Sequence, residues 1–86
     1  MSGHHPTSFV GDARVAIKEA VEAAIAGSRC QVDGGGGHFN IVVTSAAFAG
    51  QSLLNKQRMV LTAIAHLMKG DGAPVHAIDR LKTKAS

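Results

Sequence analysis

Residues 38–60 read HFNIVVTSAAFAGQSLLNKQRMV, and this stretch decides the fold. Phe39, Ile41 and Val43 recur at every second position from His38 to Ser45, the period of a strand with one buried face. Ser52 then stands where a helix N-cap belongs. Beyond it Leu53, Val60, Ile64, Leu67 and Met68 keep helical spacing, with Lys56, Gln57 and Arg58 toward the start of the helix. Lys69 and Gly70 suit its end, a cation on the carbonyl pole followed by a residue free to turn left-handed.

Working outward toward the N-terminus, Arg29 to Asp33 alternates again, with Cys30 and Val32 on one face, and Gly34 to Gly37 predicts a mobile hairpin loop between the two strands. Upstream of that, Asp12 is placed to cap a first helix. Its apolar residues Val15, Ile17, Ala20, Val21, Ala24 and Ile25 form one stripe, and Gly27 ends it. Toward the C-terminus, the Asp71-Gly72 turn and Pro74 precede a third strand expected over Val75 to Leu81. The order is helix, strand, strand, helix, strand. The first two strands pair antiparallel across the glycines, and the third reaches the second through a helical crossover, which makes that pair parallel. The expected class is α+β: an α-β-β-α-β chain whose three-stranded mixed sheet is covered by helices on one face.

Length and composition fit this reading. A chain of 86 residues buries only roughly 60 to 65% of its unfolded surface, enough for one core. Trp and Tyr are absent and Phe9, Phe39 and Phe48 are the aromatic residues, so that core is aliphatic. Residues 1–8 read as a disordered tail, 9–82 as the domain and 83–86 as a flexible basic tail; His4 and His5 belong to the first of these. No apolar stretch approaches the roughly 18 to 20 residues of a membrane span. The first eight residues lack the pattern of a secretory signal, so a cytoplasmic home is expected, with the nucleus open to a eukaryotic protein. One cysteine, Cys30, excludes an internal disulfide and paired-cysteine zinc sites, and in a strand it reads most simply as a small buried hydrophobe.

Chemistry concentrates at one sheet edge. If the second strand starts at His38 and the third at Val75, His38 and His76 lie at the same end, roughly 5 to 7 Å apart by strand spacing. Both then point away from the helices, although Ile78 and Asp79 fit that register poorly. His66 near the end of the second helix reads as a helix-dipole partner or a packing residue. The glycine run is followed by a strand, so no helix N-terminus aims amides at a phosphate, and no Ser, Cys or carboxylate stands in an activating motif. The expected protein is a binding protein and not an enzyme, monomeric on its own.

With these residues laid out, the chain resembles the BolA family of small stress-response and iron-sulfur accessory proteins. The resemblance rests on the F-x-G turn at Phe48 and Gly50, the basic cluster Lys56-Gln57-Arg58, Val60, and the Val75-His76-Ala77 that follows Pro74. It covers roughly Asp12 to Arg80 and implies a fold similar to the class II KH domain. It also implies a partner, a monothiol glutaredoxin, with which the domain shares a 2Fe-2S cluster held on the other side by the glutaredoxin cysteine and a bound glutathione. The family's C-terminal histidine falls on His76, the principal ligand that the resemblance implies. The family's second ligand comes from the loop between the first two strands, where this chain has four glycines. His38 at the loop's end is the candidate for it and Cys30 the reserve. A second reading is a KH-like nucleic-acid-binding regulator. It draws on the KH-like order, an isoelectric point near 9.5 and Lys56 and Arg58 at the helix start. Arg80 and Lys82, beside the histidine edge, are expected to steer an acidic or glutathione-bearing partner, and the four together are the candidate partner or nucleic-acid surface. Against the nucleic-acid reading stand the absence of a Gly-x-x-Gly loop between helices and the scarcity of stacking aromatics.

Overall fold

The computed structural model describes residues 11–86; the 1–8 tail, with His4 and His5, and Phe9 at the expected start of the domain lie outside the described residues. Helix α1 spans Ala13–Ala24, strand β1 Arg29–Gly35, strand β2 His38–Thr44, helix α2 Leu53–Ile64 and strand β3 Ala77–Lys84, with short 3-10 turns at Ala46–Phe48 and Ala65–Leu67. The order and the α+β class are as expected. The sheet runs β1-β2-β3, with β1 antiparallel and β3 parallel to the central β2.

Both helix starts are made as the sequence implies. The Asp12 carboxylate accepts from the Arg14 amide at 2.9 Å, and the Ser52 hydroxyl from the Asn55 amide at 3.1 Å, so each occupies a donor that the first helical turn leaves unpaired. The helices bury the middle of their apolar stripes on one face of the sheet, while Val15 and Leu53, expected in those stripes, stand exposed in the first turns. Ile17 and Val21 of α1, Val60 and Ile64 of α2, Cys30 of β1 and Phe39, Ile41 and Val43 of β2 form a single buried cluster, with Ile25, Phe48, Leu67 and Val75 from the connections completing it. At one edge of the sheet, the Lys18 ammonium donates to the Cys30 carbonyl at 3.1 Å and the Glu22 carboxylate accepts the Cys30 amide at 3.0 Å. Side chains of α1 thus occupy backbone groups that an edge strand otherwise leaves open. The Lys18 contact and the Cys30 amide hold the Glu22 carboxyl below the usual carboxylate range. This clasp therefore contributes at neutral pH and is lost as pH falls below the ordinary carboxylate pKa and through the lowered one.

Three expectations change. The glycine segment is no mobile loop: Gly34 pairs with Phe39 and Gly35 with His38, so only Gly36 and Gly37 turn the chain. Both have positive φ, +63° and +86°, the backbone that a tight two-residue hairpin requires and that glycine adopts without a Cβ penalty. Strand β3 begins two residues later than Val75 and ends three beyond Leu81. Val75 is buried in the approach to the strand, its amide bonded to the Leu67 carbonyl at 3.1 Å. At the far end, Thr83 and Lys84 are paired with Val43 and Thr44, and the Ser86 amide reaches the Ser45 carbonyl, so the residues expected as a flexible tail continue the sheet. Finally, β3 carries a bulge: pairing steps from Phe39–Ile78 to Asn40–Arg80 and leaves Asp79 without an opposite residue. That extra residue sets Ile78 and Leu81, three apart, on the same core-facing side.

Among the described residues no helix is long and apolar enough to cross a membrane. The core-facing side of β3 holds one cost. The Thr83 hydroxyl is buried opposite Val43, with no hydrogen-bond partner. Thr83→Val keeps the shape and removes the unpaired group, so it should raise stability by about 1 kcal/mol; a higher denaturant midpoint at unchanged m-value checks this.

Candidate functional site

The hairpin turn and the start of β3 meet at one end of the sheet. The Gly37 carbonyl accepts two amides, His76 at 2.8 Å and Ala77 at 2.9 Å, using both oxygen lone pairs. The backbone on either side of the His76 side chain is thereby tied to the turn. Gly37 is also what the imidazole rests on. A Cβ at residue 37 would stand 2.8 Å from both Cγ and Nδ1 of the His76 ring, closer than real Cβ atoms approach. Gly37 is buried while His76 is exposed, so the ring has a floor on one side and solvent on the other.

His38 lies one residue further along and pairs with Ala77, the first residue of β3, which places Ala77 and not His76 on the face of His38. The two histidines therefore share an end of the sheet, with Cα atoms roughly 6 Å apart by strand spacing and rise, but the ladder does not set them on one face with Ala77 turned inward, as the sequence suggested. His38 is exposed, and its Nδ1 lies 3.1 Å from Oδ1 of Asp79, the bulge residue. This partner was not singled out in the sequence, where it stands 41 residues away; the poor fit of Asp79 to a regular strand was the one available sign.

Cys30 does not join them. It is 1% exposed on the helix-covered face, opposite Val43 and five positions from the Gly35–His38 pair, which is roughly 17 Å along the strand. Burial, followed by the charge of Glu22, pushes its thiol up to about 11, so little thiolate forms at neutral pH. The reserve ligand is thus removed from the site by position and by chemistry.

The basic residues divide. Arg80 and Lys82 pair with Asn40 and Val42 and lie exposed on the helix-free face, with Lys84 and Arg29 further along the same face. Lys56 and Arg58 belong to α2, on the other side of the sheet. His66 is exposed in the 3-10 turn after α2. Among the described residues, no three His, Cys, Asp or Glu side chains come together as a metal site. What this end of the sheet offers is two exposed imidazoles on a backbone held by one carbonyl.

The same architecture recurs in known proteins. The profile of the family described as BolA-like protein matches residues 12–86, all but one of the described positions. The chain belongs to the BolA-like family. Among solved structures, a BolA protein homologue from Coxiella burnetii is similar at 33% identity and a TM-score of 0.70, over 90% of this chain and 92% of that one. The BolA1 protein of Mus musculus is 27% identical with a TM-score of 0.70, over 99% of this chain and 74% of the mouse chain. A Bol-like protein from Babesia bovis is 27% identical with a TM-score of 0.67, over 93% and 90%. No curated protein matches in sequence. Within this BolA-like frame, His76 and the turn glycine beneath it form the best-defined part of the site.

That relation can be checked with two neighbouring glycines. Gly36→Ala meets no atom within 4 Å and pays only for its positive φ, about 1 kcal/mol. Gly37→Ala pays the same strain and also displaces the His76 ring, for a total of about 2 to 3 kcal/mol. Denaturant unfolding should rank the two in that order, and the His76 ring resonances should move in Gly37→Ala alone.

Proposed function

We propose that this BolA-like protein is an accessory partner of a monothiol glutaredoxin and shares with it, and with a bound glutathione, a 2Fe-2S cluster used in cluster trafficking or iron and redox regulation in the cytoplasm. The observation that carries the proposal is the pair of exposed imidazoles, His76 on its glycine floor and His38 beside it, at one end of the sheet. Two nitrogen donors suit half of a shared cluster and are too few to hold one alone. His76 is the principal ligand in this reading and His38 the second. When bound, a cluster with imidazole in place of thiolate supplies a centre of raised reduction potential. The chain's own part is to present the two rings: the Gly37 carbonyl fixes the backbone that carries His76, and the hairpin register fixes His38.

The nucleic-acid reading draws less support. Lys56 and Arg58 lie on the other side of the sheet from Arg80 and Lys82, so the four candidate cations form no single stripe, and Phe39 and Phe48 are both buried, which leaves no aromatic platform for a base among the described residues.

The test is anaerobic cluster reconstitution of the chain with a monothiol glutaredoxin, followed by visible absorption and circular dichroism. A heterodimer with a spectrum distinct from that of the glutaredoxin alone is expected. His76→Ala should shorten cluster lifetime by about tenfold or more, His38→Ala by less, and Cys30→Ser should leave it unchanged. No heterodimer, or a wild-type lifetime in His76→Ala, overturns the reading.

The cations of β3 bear on the rate of the encounter. Arg80→Glu combined with Lys82→Glu should slow association with an acidic or glutathione-bearing partner about tenfold at low salt and flatten its salt dependence. Stopped-flow mixing at two ionic strengths measures both.

A further inference from the structure

We infer that Asp79 is a positioning residue for His38: its carboxylate selects the tautomer with the proton on Nδ1 and leaves Nε2 as the nitrogen free to donate to a metal. The inference rests on the proposed cluster role of His38 only in its last step; the hold of Asp79 on the ring stands on geometry alone.

The geometry begins with the bulge. In an unbroken parallel pairing Asp79 would sit opposite Asn40 and Arg80 would be turned toward the core beside Ile41. The observed pairing places Arg80 opposite Asn40 and Leu81 opposite Ile41, and Asp79 is the residue left over. A bulged residue is free of the ladder, and its side chain is re-aimed. Here the carboxylate is aimed back across the strands to His38 Nδ1, at 3.1 Å. An ionised carboxylate only accepts hydrogen bonds, so a neutral imidazole bonded to it through Nδ1 must carry its proton there. The other nitrogen then holds the lone pair. Metal-ligating histidines are commonly oriented in this way, by a carboxylate on the nitrogen that does not bind.

The pair is about half exposed, 58% for His38 and 52% for Asp79, so the bond is weak in energy, and holding the fold together is not its role. A tautomer balance needs little. About 1 kcal/mol, within the range of an exposed charge-assisted contact, shifts it roughly fivefold. An unperturbed histidine leans the other way, toward the proton on Nε2, so the effect of Asp79 is a reversal that can be seen directly.

The experiment is long-range nitrogen-proton NMR on the isolated chain near pH 8, where imidazoles are neutral, comparing wild type with Asp79→Ala. Wild-type His38 should show mainly the Nδ1–H form and Asp79→Ala mainly the Nε2–H form, with His66 and His76 unchanged. A second arm measures cluster lifetime in the heterodimer with glutaredoxin, where Asp79→Ala should shorten it severalfold at unchanged protein-protein affinity. An Nε2–H majority in the wild type, or no change on removing Asp79, overturns the inference whatever the partner does. A tautomer switch with an unaltered lifetime, in a complex whose lifetime His38→Ala does shorten, overturns the positioning role. If no cluster assembles at all, the proposed function falls, while the spectra of the isolated chain still decide whether Asp79 governs His38.

Discussion

Everything in this chain is arranged around the one-sided burial of β2. It is the middle strand, shared by an antiparallel neighbour and a parallel one, and its three inward residues, Phe39, Ile41 and Val43, lie in one buried cluster with residues of both helices. Because side chains alternate, that burial also fixes what the other face carries: Asn40, Val42 and Thr44, and through them the residues of β3 opposite. At the far end the same strand runs into Ser45, which is fully buried. Its hydroxyl donates to the Ala26 carbonyl after α1 and accepts the Ala47 amide, while its own amide donates to the Lys84 carbonyl. One small polar residue thus joins α1, β2 and β3 with its own hydroxyl satisfied, which is what makes its complete burial affordable.

Much of this architecture was legible in the sequence because it follows from local rules that do not compete. The two-residue period identified β2, the three- and four-residue steps identified the helices, and Asp12 and Ser52 marked where they start. The crossover through α2 required β3 to be parallel. What was not legible depends on contacts between distant segments. Val75 looks like the first residue of an alternating strand, yet its apolar side chain serves the core before the strand begins. Thr83 and Lys84 look like the start of a basic tail, yet Val43 and Thr44 offer them a ladder, and an outward-facing lysine costs a strand nothing. The four glycines looked mobile because composition reports freedom and not pairing; two of them continue the ladder.

The candidate site was legible in the same uneven way. Topology alone brings His38 and His76 to one end, but it does not reveal how each is held. His76 is secured through main chain, by a carbonyl and by the absence of a side chain at Gly37, neither of which has a sequence signature beyond the glycine itself. His38 is secured by a side chain displaced from its regular place. Cys30 shows the opposite case: an attractive residue type whose burial and raised thiol pKa make it a packing residue.

The bulge has a consequence for chain length. Beyond Leu81, losing Lys82 would turn Thr83 to solvent and bring Lys84 inward. Losing Asp79 or Arg80 would not do this, because the pairings of Ile78 with Phe39 and of Leu81 with Ile41 already stand one residue further apart than a plain ladder needs. A deletion there would leave the core as it is and decide only whether an acid or a base faces Asn40. The carboxylate beside His38 is thus carried by the one segment of the strand that has a residue to spare, so this chain could lose it without rebuilding its core.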